Sequence, residues 1–331
     1  MNFSSILNLL DKTHAISILL LCHPNADPDA LGSAYAFQNL LKNLRPNMNI
    51  IIGAEQGISR LSKHFMTFVP ITYDLTPDME KFDVTILLDT NTIQQLGNMT
   101  EKLTKKKIPL IVVDHHAIHP KTKLAATLCV IDDSSSSTCE IVYGFYKEMC
   151  VKPDLNVANA LFLGIAFDTR HFVLGNSTTF QTISELCEIG VDTKEALSSL
   201  SLPMSFSERL ARIKACGRAR IIIINKWIIA ISEVSSYQAS AARALIDLGA
   251  HMVAIAGKKG ENIDMSLRCT NKFNKDTGIH LGKDIAQPLG ESLQGMGGGH
   301  ALAAGLNGKG KVEEGLDECL LLIRKILQKL S

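Results

Sequence analysis

Ile16-Ser17-Ile18-Leu19-Leu20-Leu21-Cys22 runs straight into His23-Pro24-Asn25-Ala26-Asp27-Pro28-Asp29-Ala30-Leu31-Gly32-Ser33, and this passage decides the fold. An uncharged, mainly aliphatic run this short, with no helical stripe, is a strand buried on both faces. After the polar loop, Phe37, Leu40, Leu41 and Leu44 follow the i, i+3, i+4, i+7 spacing that lays one apolar stripe along a helix. Strand, polar loop and helix make the first half of a parallel unit, because parallel strands need a crossover to join them. Within the loop, Pro28 fixes its own φ and pushes Asp27 toward an extended backbone, so Asp27 and Asp29 can project to the same side. Two carboxylates so close repel unless a cation lies between them. A plainer reading is that Asp29, just ahead of the helix, caps it.

The same rhythm recurs. Strands are predicted at Ile16–Cys22, Met48–Ile52, Phe82–Leu88, Ile108–Val113 and Leu128–Ile131. Ser134 to Ser137 offers N-caps for a helix through about Met149, an apolar helix runs from Asn156 to Phe167, and helices continue to about Leu197. The pattern predicts an α/β fold: a parallel-sheet domain over residues 1–198 with helices on both faces. Residues 199–216 form the connector; Ser199 to Ser207 carries a proline and four serines, and a charged helical piece follows around Arg209 to Arg220.

Residues 217–331 are expected to form a smaller α/β domain with a mixed sheet. Arg220 to Glu233 reads as a hairpin turning at Asn225-Lys226, and Tyr237 to Leu248 as a helix with Gly249 at its C-cap. Strands His251–Ala256 and Ile263–Cys269 flank the Lys258-Lys259-Gly260 turn. In the second of them Asp264, Ser266 and Arg268 share one face. A Gly-rich loop, Gly295 to Gly299, and an amphipathic helix from about Val312 to Leu330 close the chain.

Composition narrows the function. The 34 Lys+Arg against 33 Asp+Glu leave a net charge of +1, so no global basic field exists to hold long nucleic acid. Hydrophobic residues at 46% are ample for two cores. Eight cysteines without a C-x-x-C, and no apolar signal segment at Met1, predict reduced core thiols and a cytoplasmic chain. Apolar runs such as Ile221 to Ile224 fall far short of the roughly 18 residues that a membrane helix needs.

The chemical signal is the repetition of carboxylates at strand ends. Asp27 and Asp29 follow the first strand, Asp89 follows Phe82–Leu88, and Asp114-His115-His116 follows Ile108–Val113. Ligand sites in open α/β sheets lie at that carboxyl edge, so these groups are expected to converge. Asp168, closing an apolar helix in Gly164-Ile165-Ala166-Phe167-Asp168-Thr169-Arg170, is a further candidate. Several buried carboxylates at one place call for a metal, and oxygen with imidazole favours Mn²⁺ or a similar first-row ion.

The ordered set H-x-x-x-D-x-D-A-x-G-S, a strand-terminal Asp, D-H-H and G-I-x-x-D-T resembles the DHH phosphoesterases. The later Gly297-Gly298-Gly299-His300-Ala301-Leu302-Ala303-Ala304-Gly305 resembles their DHH-associated C-terminal domain. The nearest members are nano-RNases and phosphodiesterases of linear or cyclic di-adenylates, with the RecJ exonucleases as larger relatives. The resemblance implies two Mn²⁺ ions, with Mg²⁺ or Co²⁺ as substitutes. His23 and Asp27 would bind the first ion, Asp29, His115 and Asp168 the second, and Asp89 would bridge them. His116 would face the substrate phosphate, with Asp114 supporting the imidazoles, and a water between two ions roughly 3.5–4 Å apart would be the nucleophile. Arg268, with Ser266 beside it, resembles the family's phosphate-binding arginine, and Gly297, Gly298, Gly299 and His300 would form an anion nest. Arg170 and His171 depart from the small residues many relatives carry there, and would add a phosphate contact or restrict the leaving group.

These readings lead to a Mn²⁺-dependent phosphodiesterase that cuts very short oligoribonucleotides and linear di-adenylates such as pApA to nucleoside 5′-monophosphates. The partners expected are a short RNA or dinucleotide, with no long duplex, no membrane, and a homodimer compatible with the sequence. Rival readings are a RecJ-like single-strand exonuclease, a 3′-phosphoadenosine 5′-phosphate phosphatase, a cyclic di-AMP phosphodiesterase and, in another class, a silent nucleic-acid-binding module.

Overall fold

In the computed structural model, which describes residues 3–105, 108–201, 203–260 and 262–328, the chain divides into two compact units, Met1–Leu202 and Pro203–Ser331. In chain order the first holds α1 (Phe3–Lys12), β1 (Ser17–Cys22), α2 (Pro28–Leu44), β2 (Asn49–Gly53), α3 (Arg60–Phe65), β3 (Val84–Leu88) and α4 (Asn98–Lys105). It continues with β4 (Leu110–Asp114), α5 (Pro120–Ala125), β5 (Leu128–Ile131), α6 (Thr138–Glu148), α7 (Leu155–Asp168), α8 (Ser177–Ile189) and α9 (Thr193–Ser199). The five strands pair in parallel in the order β2-β1-β3-β4-β5, as the strand-loop-helix rhythm predicts.

Strand β1 shows why its sequence carries no polar alternation. Ile18, Leu20 and Cys22 pack into a core with α1, α2, α6 and α7, while Leu19 and Leu21 enter a second core with Met79, Phe82, Ile93 and Leu103 on the opposite face. Both faces of the sheet are therefore covered, and every residue of β3 and β4 is buried. Asp27, not Asp29, caps α2: its Oδ1 accepts from the amides of Asp29 and Ala30, both at 3.1 Å, with its own backbone extended at φ −88° and ψ −178°. Asp29 lies inside the first turn and is fully buried, so the reading in which it caps this helix is overturned.

The second unit holds α10 (Phe206–Gly217), β6 (Arg220–Ile224), β7 (Trp227–Glu233), α11 (Gln238–Asp247), β8 (Met252–Lys259), β9 (Asn262–Cys269) and α12 (Asn271–Thr277). A π-helical turn (Leu281–Ala286), α13 (Gln287–Ser292), β10 (Met296–Gly299), β11 (Ala303–Lys309) and α14 (Val312–Gln328) complete it. Its six strands run in the order β10-β11-β9-β8-β7-β6, antiparallel except for β7 with β8, which is the expected mixed sheet. The expected hairpin at Asn225-Lys226 is present, with Asn225 in the left-handed region at φ +55°. Residues 329 and 330 of the predicted last helix lie outside the described residues.

Several elements were not placed from the sequence, among them α1, α12, the π-helical turn, α13, the strand β11 and strand character in the Gly-rich run. Met296–Gly299 is a strand paired with β11 and not a loop, and position 297 requires glycine there, because a Cβ would lie 1.8 Å from the Ala286 carbonyl oxygen. Between the two units, α9 runs through Ser199 and α10 starts at Phe206.

Gly32 has a comparable role in the first unit, where α2 lies closely against α7. A Cβ there would meet the Ala160 carbonyl oxygen at 2.7 Å and Cys139 Sγ at 3.2 Å. Gly32→Ala is therefore expected to lower the unfolding free energy by about 1–3 kcal/mol through overpacking, read as a lower urea midpoint. A midpoint equal to that of the natural chain contradicts the close helix contact.

Candidate metal centre

Parallel register brings the chemistry together. Cys22 pairs with Leu88, and Leu88 with Val113, so β1, β3 and β4 release His23, Asp89 and Asp114-His115-His116 side by side at their carboxyl ends. Two helices supply the remaining groups: α2 contributes Asp29 from its first turn and α7 contributes Asp168 as its last residue. Among the described residues, three sets form whose ligand atoms all lie within 4.8 Å of one another: His23, Asp27 and Asp89; Asp29, His115 and Asp168; and Asp89, Asp114, His115 and His116. Asp27 and Asp29, expected on one side, belong to different sets.

Asp89 connects them. Its Oδ2 lies 3.6 Å from His23 Nε2, and its Oδ1 lies 3.6 Å from His115 Nε2. The residue has φ +53°, a left-handed conformation that is uncommon outside glycine and that Asp tolerates better than most side chains. His23 Nε2 is also 3.5 Å from Asp27 Oδ2. Its other ring nitrogen, Nδ1, lies 2.8 Å from the Pro24 carbonyl oxygen; an N–H donated there leaves Nε2 as the atom facing the carboxylates, open to a cation once it gives up its proton. His115 Nε2 comes within 3.0 Å of Asp168 Oδ2 without hydrogen-bond alignment, and this buried nitrogen has no hydrogen-bond partner among the described residues.

The wholly buried Asp114 holds His116, accepting from its amide at 2.8 Å and meeting its Nδ1 at 2.9 Å. Expected to support both imidazoles, Asp114 has its hydrogen bonds to His116. The ring's Nε2 is left outward on a side chain that is 53% exposed.

The electrostatics are those of a set short of positive charge. Burial, and then the charges of Asp89, Asp168 and Asp27, push the Asp29 carboxyl well above the ordinary range. Asp168 is raised too, by burial first, with His115 opposing and Asp89 adding to it. Burial works against the charged form of His23, but the Asp27 hydrogen bond and charge, the Pro24 carbonyl and Asp89 outweigh it and raise the ring to about 9. His116 is raised to about 10, chiefly by Asp114 and then Asp89. Protons are thus retained where a cation would replace them. The donor set fits a first-row divalent ion: carboxylate oxygens and imidazole nitrogens with no thiolate, and an orphaned buried Nε2 facing acids.

A sequence profile of the DHH family, N-terminal domain, matches residues 17–165. Over 306 residues the chain is 36% identical to the uncharacterized protein MJ0988 of Methanocaldococcus jannaschii, covering 91% of this chain and 90% of that one. The chain belongs to the DHH family. It is a metal-dependent phosphoesterase of that family. It is also 27% identical over 194 residues to the bifunctional oligoribonuclease and PAP phosphatase NrnA of Bacillus subtilis, a match covering 56% of each protein. Among solved structures, an exopolyphosphatase-related protein from Bacteroides fragilis shares the fold at a TM-score of 0.62 with 18% identity, over 98% of this DHH chain and 96% of that one.

The candidates from the second half lie in the second unit. Ser266 pairs with Gly305, which pairs with Gly298, so these three share a sheet face with Arg268, opposite Ala303. Gly298 has no atom within 4 Å of where a Cβ would sit, and Arg268 Nε is buried with no hydrogen-bond partner among the described residues. His300 is exposed, and its amide donates to the Ala303 carbonyl at 2.8 Å. Arg170 and His171 are exposed and follow Asp168 closely, in a left-handed turn with φ +50° and +57°. Sequence reasoning missed Thr138, whose hydroxyl donates to Asp89 Oδ1 at 3.1 Å. Read as the start of a helix, it carries no spacing signal that ties it to an acid 49 positions away.

A pH dependence follows for the metal-free protein. His23 and His116 bind protons more tightly folded than unfolded, so their contribution is fully present below about 6.5 and is lost as the pH rises through about 9 and 10. The melting temperature of chelated protein should therefore fall between pH 6.5 and 9, and divalent metal should remove most of that slope. A chelated protein with a flat or rising melting temperature across that window contradicts the proton-for-metal exchange.

Proposed function

We propose that the chain is a Mn²⁺-dependent phosphodiesterase that releases nucleoside 5′-monophosphates from very short oligoribonucleotides and linear di-adenylates. The observation that carries this reading is Asp89, whose two oxygens face two separate sets of ligands. In it, His23 and Asp27 hold one ion, Asp29, His115 and Asp168 hold the other, and Asp89 is shared. A pair of divalent ions supplies the positive charge that lowers the pKa of water and offsets charge developing on a phosphoryl group.

The remaining work belongs to side chains. His116, anchored through Nδ1 by Asp114, presents Nε2 to a phosphate oxygen. Arg268 offers an unpaired guanidinium nitrogen to a phosphate, with Ser266 beside it and Gly298 and Gly305 as an open floor. Arg170 and His171 act at the leaving-group end. The oligoribonuclease activity in the name of NrnA supports a short-RNA substrate. The near-neutral net charge does too, since long strands are held through many phosphates. That balance, the free thiols and the lack of any described helix able to cross a membrane fit a cytoplasmic enzyme.

Metal-stripped protein reconstituted with Mn²⁺, Mg²⁺, Co²⁺ or Zn²⁺ and offered RNA and DNA of 2 to 24 nucleotides tests the reading. Mn²⁺ should restore activity best, on RNA of a few nucleotides and on pApA, and steady cleavage of the 24-mers would favour a RecJ-like exonuclease. Cyclic di-AMP and 3′-phosphoadenosine 5′-phosphate, run in parallel, distinguish a cyclic-dinucleotide phosphodiesterase and a nucleotide phosphatase from the short-RNA enzyme. Asp89→Ala should lower turnover by more than about 100-fold, beyond the loss typical of an outer partner. Arg268→Ala should cost about 2 kcal/mol in kcat/KM for phosphorylated dinucleotides, roughly 30-fold; an unchanged kcat/KM would make the arginine a bystander.

A further inference from the structure

We infer that Thr138 is a positioning residue that sets the Asp89 carboxylate between the two ligand sets, an inference that rests on the two-ion reading above. Thr138 opens α6 and is fully buried. Its Oγ1 donates to Asp89 Oδ1 at 3.1 Å, while its amide donates to Asp29 Oδ2 at 2.7 Å, and the next amide, of Cys139, donates to Asp29 Oδ1 at 2.9 Å. One residue thereby fixes two acids that arrive from different elements, β3 and α2.

The hydroxyl matters because of what else Asp89 touches. Its imidazole neighbours stand at 3.6 Å, beyond hydrogen-bond distance, so none of them fixes the carboxylate's rotation in the metal-free chain. Torsion about the bond to a carboxylate is broad and roughly two-fold, so a carboxylate without a fixed donor samples many orientations. The Thr138 hydroxyl occupies one lone pair of Oδ1 and holds Oδ2 toward His23. The amides of the first turn of α6, at the positive end of its dipole, hold Asp29 in the same frame. Burial alone would be served equally well by valine, which has the same shape and no donor.

The test compares Thr138→Val with Thr138→Ser by Mn²⁺ titration calorimetry and by low-temperature electron paramagnetic resonance of the Mn²⁺-loaded protein, alongside kcat and KM for pApA. The natural chain should bind two Mn²⁺ and show an exchange-coupled pair. Thr138→Val should bind at least one ion about 10–100-fold more weakly, the range for partners that orient a ligand, and lose the coupled signal. Its kcat should fall more than its KM changes, and Thr138→Ser should restore both binding and signal. Thr138→Val with the natural isotherm and coupled spectrum overturns the inference, as does a serine variant as weak as valine, which would make side-chain volume the cause. Melting of the metal-free variants separates a folding defect from a metal defect, and Thr138→Ala replaces valine if the latter does not fold. A natural chain that binds fewer than two Mn²⁺ overturns the two-ion reading itself, and does so without any variant.

Discussion

The repulsion among buried carboxylates at the ends of the parallel strands is the constraint on which the first unit depends. Asp27, Asp29, Asp89 and Asp168 are drawn together with only imidazoles as counter-charges, and the structure answers each of them separately. Asp27 takes two amides of α2 and the ring of His23, which hold it below its ordinary range despite burial. Asp29 takes two amides of α6 and is still pushed far upward. Such groups are costly to bury uncompensated, so the arrangement makes sense as a cation site that the fold assembles in advance.

The fold supplies that assembly through register. Short of the carboxyl edge, the buried positions of the strands are apolar apart from Thr85 in β3; the acids and imidazoles stand at that edge, and parallel pairing sets the edges level. Close helix packing at Gly32 brings α7, and with it Asp168, against the same edge. Apolar cores on both faces give the supporting strands little room to shift, and a site of this kind tolerates little displacement.

Much of this was legible in the sequence. Aliphatic runs ending in Asp or Asp-His-His announced both the parallel sheet and the side on which its chemistry lies, because a strand buried on both faces has nowhere else to place a charge. The identity of the α2 cap was legible only in part: Asp27 and Asp29 both precede the helical stripe, and only the packing of α6 over α2 shows that Asp29 is turned inward to meet the Thr138 and Cys139 amides. The Gly-rich run reads as a loop because composition alone does not reveal that Ala286 closes against Gly297. Thr138 was beyond reach for a similar reason, since its partners come from the far ends of other elements. Interactions set by local periodicity were readable, and those set by the approach of distant backbone were not.

We propose that Asp89 is shared by two divalent ions, and anomalous diffraction from crystals soaked in Mn²⁺ tests this most directly. Two manganese peaks are expected in each chain, about 3.5–4 Å apart, one beside each oxygen of Asp89. The peak near Oδ2 should also contact His23 and Asp27, and the peak near Oδ1 should contact Asp29, His115 and Asp168. A single peak, or a pair that leaves Asp89 out, would contradict it.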